Sequence, residues 1–242
     1  MSDSFQIVVL HVVKHKESGY IIQGYSERYG RESFFLRAPS KKGNTKVLSH
    51  FHPLAIVELT LSGFRLSEIP VIKEYESFDK LASIRGNIVK SSIALFMSEL
   101  IYRTLTEQEH NPEIFIFVRD SVMELESLVT GVANFHLLFL LGLCRKLGYS
   151  PEIRKSIEPG MLFDIPLARF LEKGEYGTLP FGIWQSDLLY RLNNLSASGL
   201  SELKLTGRQR YEFIGEMIKY LTFHTGHEIR VESLEVLKEV FE

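Results

Sequence analysis

Only one cysteine, Cys144, occurs in the 242 residues. That excludes an internal disulfide framework and any zinc site built on cysteines. Cys144 lies in an apolar run, where a small hydrophobe serves better than an activated thiol. Long apolar runs are scarce as well. The longest, Leu137 to Cys144, falls far short of the roughly 20 residues that span a bilayer, and His136, Arg145 and Lys146 bracket it. The opening MSDSFQIVVLHVV has neither a cationic segment nor a small-residue cleavage site. A soluble, cytoplasmic protein with no membrane contact is therefore expected. There is no G-x-x-x-x-G-K-[ST] loop, no G-x-G-x-x-G and no G-x-S-x-G, so a nucleotide-hydrolysing motor, a dinucleotide enzyme and an elbow-type hydrolase find no support. Internal repeats and low-complexity tracts are absent. With a formal charge of −2 the chain is no polycation, although one region can still be basic.

A hydrophobic content of 45% is enough for a real core. Both alternate faces of Phe5–Val13 are apolar, as in a strand covered on its two sides. Tyr20–Tyr25 and Ser33–Arg37 follow as strands around the polar turn Ser26–Gly30, and Ala55–Leu61 alternates between an apolar and a mostly solvated face. About five short strands in the first ~70 residues predict a small barrel. After Phe78 the period changes to that of helices, at about 93–105 and 114–129. Asn111-Pro112-Glu113 supplies the start of the second: an amide cap, a proline at the first position and an acid near the positive pole. Val132–Leu147 reads as a buried helix closed by Gly148 and Pro151. Residues 152–184 read as irregular, with at most a short helix near Ile165–Glu172. Helices follow at about Ser186–Asn194, Thr206–Thr225 and Ser233–Phe241. The fold class is α+β, a β-barrel head over 1–78 followed by an all-α domain over 79–242.

Charge is concentrated in that head. Lys14, Lys16, Arg28, Arg31, Arg37, Lys41, Lys42 and Lys46 stand against four acids in residues 1–50, a net of +4 in a chain that totals −2. Loops at one end of a small barrel bring such residues together, where cations hold phosphates while Tyr25, Tyr29, Phe34 and Phe35 are placed to stack on bases. A scaffold whose basic loops meet an acidic protein partner fits the same pattern. Arg208 and Arg210 extend a basic track into the helical region, although Glu212 and Glu216 on the same helix favour ordinary surface charge. The pairs His50/His52 and His224/His227 lack an acidic partner of the H-E-x-x-H kind, so no metal site is expected.

The order of the pieces carries a resemblance. A barrel-like head containing QIVVLHVVKHKESGYIIQGYSERYG and FHPLAIVELTL precedes SSIALFMSELIYRTLTEQEHNPEIFIFV, then FLLGLCRKLGYSPEI, a loop and two terminal helices. Over essentially its whole length the chain resembles the RecO family of bacterial recombination mediators, particularly the divergent form of Bacteroidetes-like bacteria. The resemblance implies an oligonucleotide-binding (OB) fold at the N-terminus and a helical C-terminal domain. It implies a protein that is not an enzyme, needs no cofactor or small-molecule substrate, binds single- and double-stranded DNA and anneals complementary strands. Its implied partners are RecR, the C-terminal tail of single-strand-binding protein and, indirectly, RecA, and its implied location is the nucleoid. Carried onto this sequence, the DNA-binding residues are Lys14, Lys16, Arg28, Arg31, Arg37, Lys41, Lys42 and Lys46, with Tyr25 and Tyr29 for stacking. Many members carry a four-cysteine zinc site just after the Gly-Tyr-x-Pro segment. Here that stretch reads IRKSIEPGMLFDIPLARF, so packing of Met161, Leu162 and Phe163 is expected to hold it.

Overall fold

The computed structural model describes residues 4–15, 19–37, 47–62, 69–78, 80–105 and 110–241. The chain divides into two compact units, Met1–Ser127 and Leu128–Glu242.

The first unit begins with five strands, β1 (Phe5–His15), β2 (Gly19–Ser26), β3 (Gly30–Arg37), β4 (Ile56–Leu61) and β5 (Ile72–Ser77). They form one sheet in the order β3-β2-β1-β4-β5 with antiparallel neighbours. A parallel bridge between Phe35 and Val71, with the Phe35 N–H donating to Pro70 O at 2.8 Å, joins β3 to β5. The sheet thereby closes on itself in the five-stranded OB arrangement. Its interior is lined by the inward rows of β1–β4, with Ile7, Val9, Ile22, Phe34, Val57 and Leu59 each fully buried. β5 carries no alternation that marks a strand: it reads IKEYES, with only Ile72 buried, and its pairing with β4 defines it.

β1 pairs with β4 through Phe5–Val8 but with β2 as far as His15. A register shift at Val9/His11 inserts Leu10, the kind of bulge that re-aims a strand. Burial follows that change. Ile7 to Leu10 are buried, whereas His11 and Val13 to His15 are exposed, so the two-sided cover expected along all of Phe5–Val13 ends at the bulge.

Helices α1 (Ala82–Gly86), α2 (Ile88–Thr104) and α3 (Pro112–Ser127) complete this unit. Asn111 caps α3 as its residue type predicts, its Oδ1 accepting from the N–H groups of Glu113 (3.1 Å) and Ile114 (3.2 Å). No side chain of its own caps α1. Instead Glu126, at the end of α3, accepts from the N–H groups of Ser83 and Ile84, both at 2.8 Å. The buried Lys90 ammonium donates to Ser83 Oγ and Glu126 O, both at 2.7 Å; burial holds its pKa below the usual lysine value.

The second unit is built on α4 (Phe135–Lys146), preceded by a 3₁₀ turn, Val132–Asn134. Eight of its residues, including Leu137, Phe139, Leu140 and Cys144, are buried. At its end the Tyr149 N–H donates to Cys144 O and the Gly148 N–H to Arg145 O, with Gly148 at φ 84°. This is the Schellman termination that a glycine at that position favours. The later helices are α5 (Ile183–Asn193), α6 (Gly207–Thr225) and α7 (Ser233–Phe241), with a 3₁₀ stretch, Ala197–Glu202, before α6. Thr206 and Gln209 cap α6 reciprocally.

No helix forms at Ile165–Glu172. A hairpin stands there, β6 (Phe163–Asp164) against β7 (Arg169–Phe170). Its organiser is Asp164, fully buried, which accepts from the N–H groups of Leu167 (3.2 Å) and Leu179 (3.0 Å). A Cβ at Gly177 would collide with the same carboxylate. Behind it Phe163 packs on the rings of Phe170, Phe181 and Tyr220 at 5.3–5.8 Å. On the surface Arg154 holds Glu152 (3.0 Å) and Glu172 (2.7 Å), while Arg169 holds Glu175 (2.8 Å). Thiolate zinc does not fit this segment: it has no sulfur ligand beyond the Met161 thioether, and three of its carboxylates are engaged by arginine. Among the described residues no group of three or more His, Cys, Asp or Glu side chains could hold a metal ion.

Candidate nucleic-acid interface

In a pleated sheet alternate residues face opposite sides, so the register of β1, β2 and β3 sorts the head's cations and aromatics. The rows on the outer face are Val8–Tyr25–Arg31, His11–Gln23–Ser33, Val13–Ile21–Phe35 and His15–Gly19–Arg37.

The first of these rows is covered by the unit's own helices. Tyr25 is 1% exposed, and its hydroxyl lies 3.5 Å from Asn111 O; burial pushes its pKa up to about 12. No face of its ring is open to a base. The Arg31 guanidinium lies over the Tyr102 ring at 4.1 Å and donates to Leu105 O at 3.1 Å, a cation placed on the negative pole of α2. In the neighbouring turn, Arg28 lies 5.7 Å from the centroid of Phe5 and reaches Ser4 O at 3.5 Å. Tyr29 meets Phe5 edge-on at 5.2 Å. Of these four predicted DNA contacts, Tyr25 and Arg31 tie the barrel to the helices of its own unit, and Arg28 and Tyr29 pack against Phe5 within it.

The far rows are different. Lys14, His15 and Arg37 are exposed, Val13 is 43% exposed, and Ile21 and Phe35 are half-buried. His15 meets the Phe35 ring edge-on at 6.0 Å. A Cβ at Gly19 would run into Leu36 O and the Phe35 ring, so glycine lets that ring lie flat across the strand. Lys14 shares its row with Tyr20 and Leu36. It therefore sits on the barrel-facing side, at the exposed end and one row from Arg37. Lys14 and Arg37 are the predicted cations that the structure leaves exposed at this end, on opposite sides of the sheet; Lys16, Lys41, Lys42 and Lys46 lie outside the described residues. Of the predicted aromatics, Phe34 is fully buried and Phe35 alone belongs to this face. His11, Val13, His15 and Ile21 join it without having been marked by their sequence. The signal available for them was the histidines at positions 11 and 15, which interrupt one apolar row of β1.

The four candidate metal histidines are used elsewhere. His50 Nδ1 lies 2.7 Å from Ser77 Oγ, and His224 Nε2 donates to Ile165 O at 2.8 Å. His52 Nδ1 lies 3.0 Å from Pro53 O and His227 Nδ1 3.4 Å from Thr225 O.

A closed five-stranded barrel with Arg37, imidazoles and an aromatic ring on the outer face of β1–β3 is an OB-type module, followed in this chain by a helical region. Family models described as Recombination protein O N terminal and Recombination protein O C terminal match residues 1–80 and 85–231. Proteins named DNA repair protein RecO are 32% identical over 238 residues in Bacteroides fragilis, 29% over 236 in Azobacteroides pseudotrichonymphae and 28% over 242 in Flavobacterium psychrophilum, each match covering 97% of both chains. The chain belongs to the RecO family, and that membership supports a role in DNA repair. No helix among the described residues is long and apolar enough to cross a membrane.

Proposed function

We propose that the protein is a recombination mediator that binds single- and double-stranded DNA through the open end of its barrel and anneals complementary strands. With RecR it helps RecA replace single-strand-binding protein on gapped DNA, meeting that protein through its C-terminal tail, and it works on the nucleoid in the cytoplasm. Residues 1–78 are the DNA-binding domain and 79–242 the helical domain. The observation that carries this reading is the set His15, Phe35 and Arg37 on the outer rows at one end of an OB barrel, with Lys14 exposed on the opposite side of the same strand end. Cations there neutralise phosphates without reading sequence, and Phe35 offers a stacking surface to an unpaired base. Annealing needs no bond chemistry: screening the charge of two strands while leaving bases free is a binding effect, so the protein is not an enzyme.

The test is a strand-annealing assay with labelled complementary oligonucleotides, run with and without a chelator. The expected result is acceleration over the protein-free rate, lost at high salt and indifferent to chelator. Equal rates with and without protein at low salt would refute the reading.

A further inference from the structure

The second unit carries a cation whose charge no carboxylate among the described residues balances. Arg210 lies in the first turns of α6, half-buried, where the helix dipole is positive and burial opposes charge. Burial holds its pKa below the usual arginine value. Its neighbour Arg208 resolves the same dipole conflict by pairing with Glu212 at 2.7 Å. Arg210 has no such carboxylate among the described residues. Its Nε donates to Asn134 Oδ1 at 2.8 Å, and its guanidinium carbon lies 5.0 Å from the centroid of the Phe241 ring. Asn134 is itself fixed, its Nδ2 donating to the carbonyls of Leu200 and Leu203, both at 2.9 Å. The guanidinium is thus aimed by side chains from two other elements.

Arg210 lines an open groove of about 690 Å³ together with Lys204, Thr130, Ser201 and an aliphatic floor that includes Leu200 and Leu203. No Asp or Glu is among the described residues that line it. Lys204 is exposed and its ammonium donates to Ser201 O at 3.0 Å, which holds a second positive charge at the rim. A half-buried arginine near the positive pole of a helix, pinned in place and with no carboxylate partner among the described residues, is a feature that helix stability alone does not favour.

We propose that Arg210 and Lys204 form an oxyanion subsite that takes one backbone phosphate of a nucleic-acid strand. A planar fork and a separate point charge lining one groove, beside the hydroxyl-bearing Thr130 and Ser201, offer donors of different kinds, which suits the tetrahedral oxygens of a phosphate; a carboxylate is satisfied by the fork alone. The groove is open, so a strand can enter and leave it. No aromatic ring is among the described residues that line it, so the contact proposed is to the backbone alone and is independent of sequence.

This inference rests on the nucleic-acid reading above, and its test separates the two. A labelled oligothymidylate is titrated with the full chain across salt concentrations, for the parent and for Arg210→Gln, Lys204→Gln and Arg210→Lys, with folding checked by thermal unfolding. Each neutralising variant is expected to lower the log–log salt slope by about 0.7, and Arg210→Lys to keep the slope while weakening binding several-fold through loss of the fork. Lys204 is exposed, so its variant stays informative if Arg210→Gln unfolds the chain. Parent binding with an unchanged slope in Lys204→Gln and in every folded Arg210 variant overturns the subsite and leaves the head's role standing. No binding by the parent overturns both. Loss of affinity for an acidic peptide, with the DNA slope unmoved, assigns the groove to a protein carboxylate and overturns the phosphate.

Discussion

The two ends of the barrel's three-stranded outer face use the same residue types for opposite purposes. At one end Arg31 and Tyr25 are engaged by groups of their own unit, the ring of Tyr102 and the carbonyls of Leu105 and Asn111. At the other, Arg37 and Phe35 lie on outer rows that the helices leave uncovered, and Lys14 is exposed on the barrel-facing side of the same end. A count of cations in the head treats them alike. The difference is whether the fold supplies the partner: a guanidinium that already neutralises a helix terminus is not available to a phosphate, however favourable the regional charge.

The comparison breaks most sharply at Tyr25. Tyr25→Ala empties a fully buried aromatic site and is expected to cost about 3–5 kcal/mol of stability, read as a lower urea midpoint. A variant of parental stability that has lost DNA affinity would move Tyr25 to the binding side. Phe35→Ala probes the opposite end. Loss of about 1–3 kcal/mol in affinity for a single-stranded oligonucleotide is expected, with a smaller loss for a duplex whose bases are already stacked. Arg31→Ala removes the cation–π contact and the hydrogen bond to Leu105, which together contribute about 1–3 kcal/mol. Equilibrium unfolding should register that loss, while the salt slope of DNA binding should not move. The smallest expected effect on stability belongs to Lys14→Gln and Arg37→Gln, within about 0.5 kcal/mol each by urea unfolding.

Much of the barrel and of the helices was legible because burial writes its period directly into a sequence. The alternation of Ala55–Leu61, the cap at Asn111, the stop at Gly148 and helix α7 are local signals with local causes. β5 was not legible, since IKEYES buries only Ile72 and owes its existence to pairing with β4. The hairpin at Phe163–Phe170 was missed for a related reason: a buried Asp164 that collects N–H groups from Leu167 and Leu179 is a tertiary arrangement, and no periodicity announces it. At the candidate site the sequence marked a basic region correctly as a composition, but the separation of Arg28 and Arg31 from Lys14 and Arg37 depends on strand register and on where α2 ends. The bulge at Val9/His11 decides which β1 residues face outward, and a one-residue shift reverses that choice.

The central claim is that one end of the barrel contacts nucleic acid and the other holds the fold together. The most direct measurement is the salt dependence of oligonucleotide binding for two double variants, Lys14→Gln with Arg37→Gln, and Arg28→Gln with Arg31→Gln, each compared with the parent at concentrations where the protein is folded. The first pair is expected to lower the slope by about 1.4 and the second to leave it unchanged. A slope that falls for the Arg28/Arg31 pair and holds for the Lys14/Arg37 pair would contradict it.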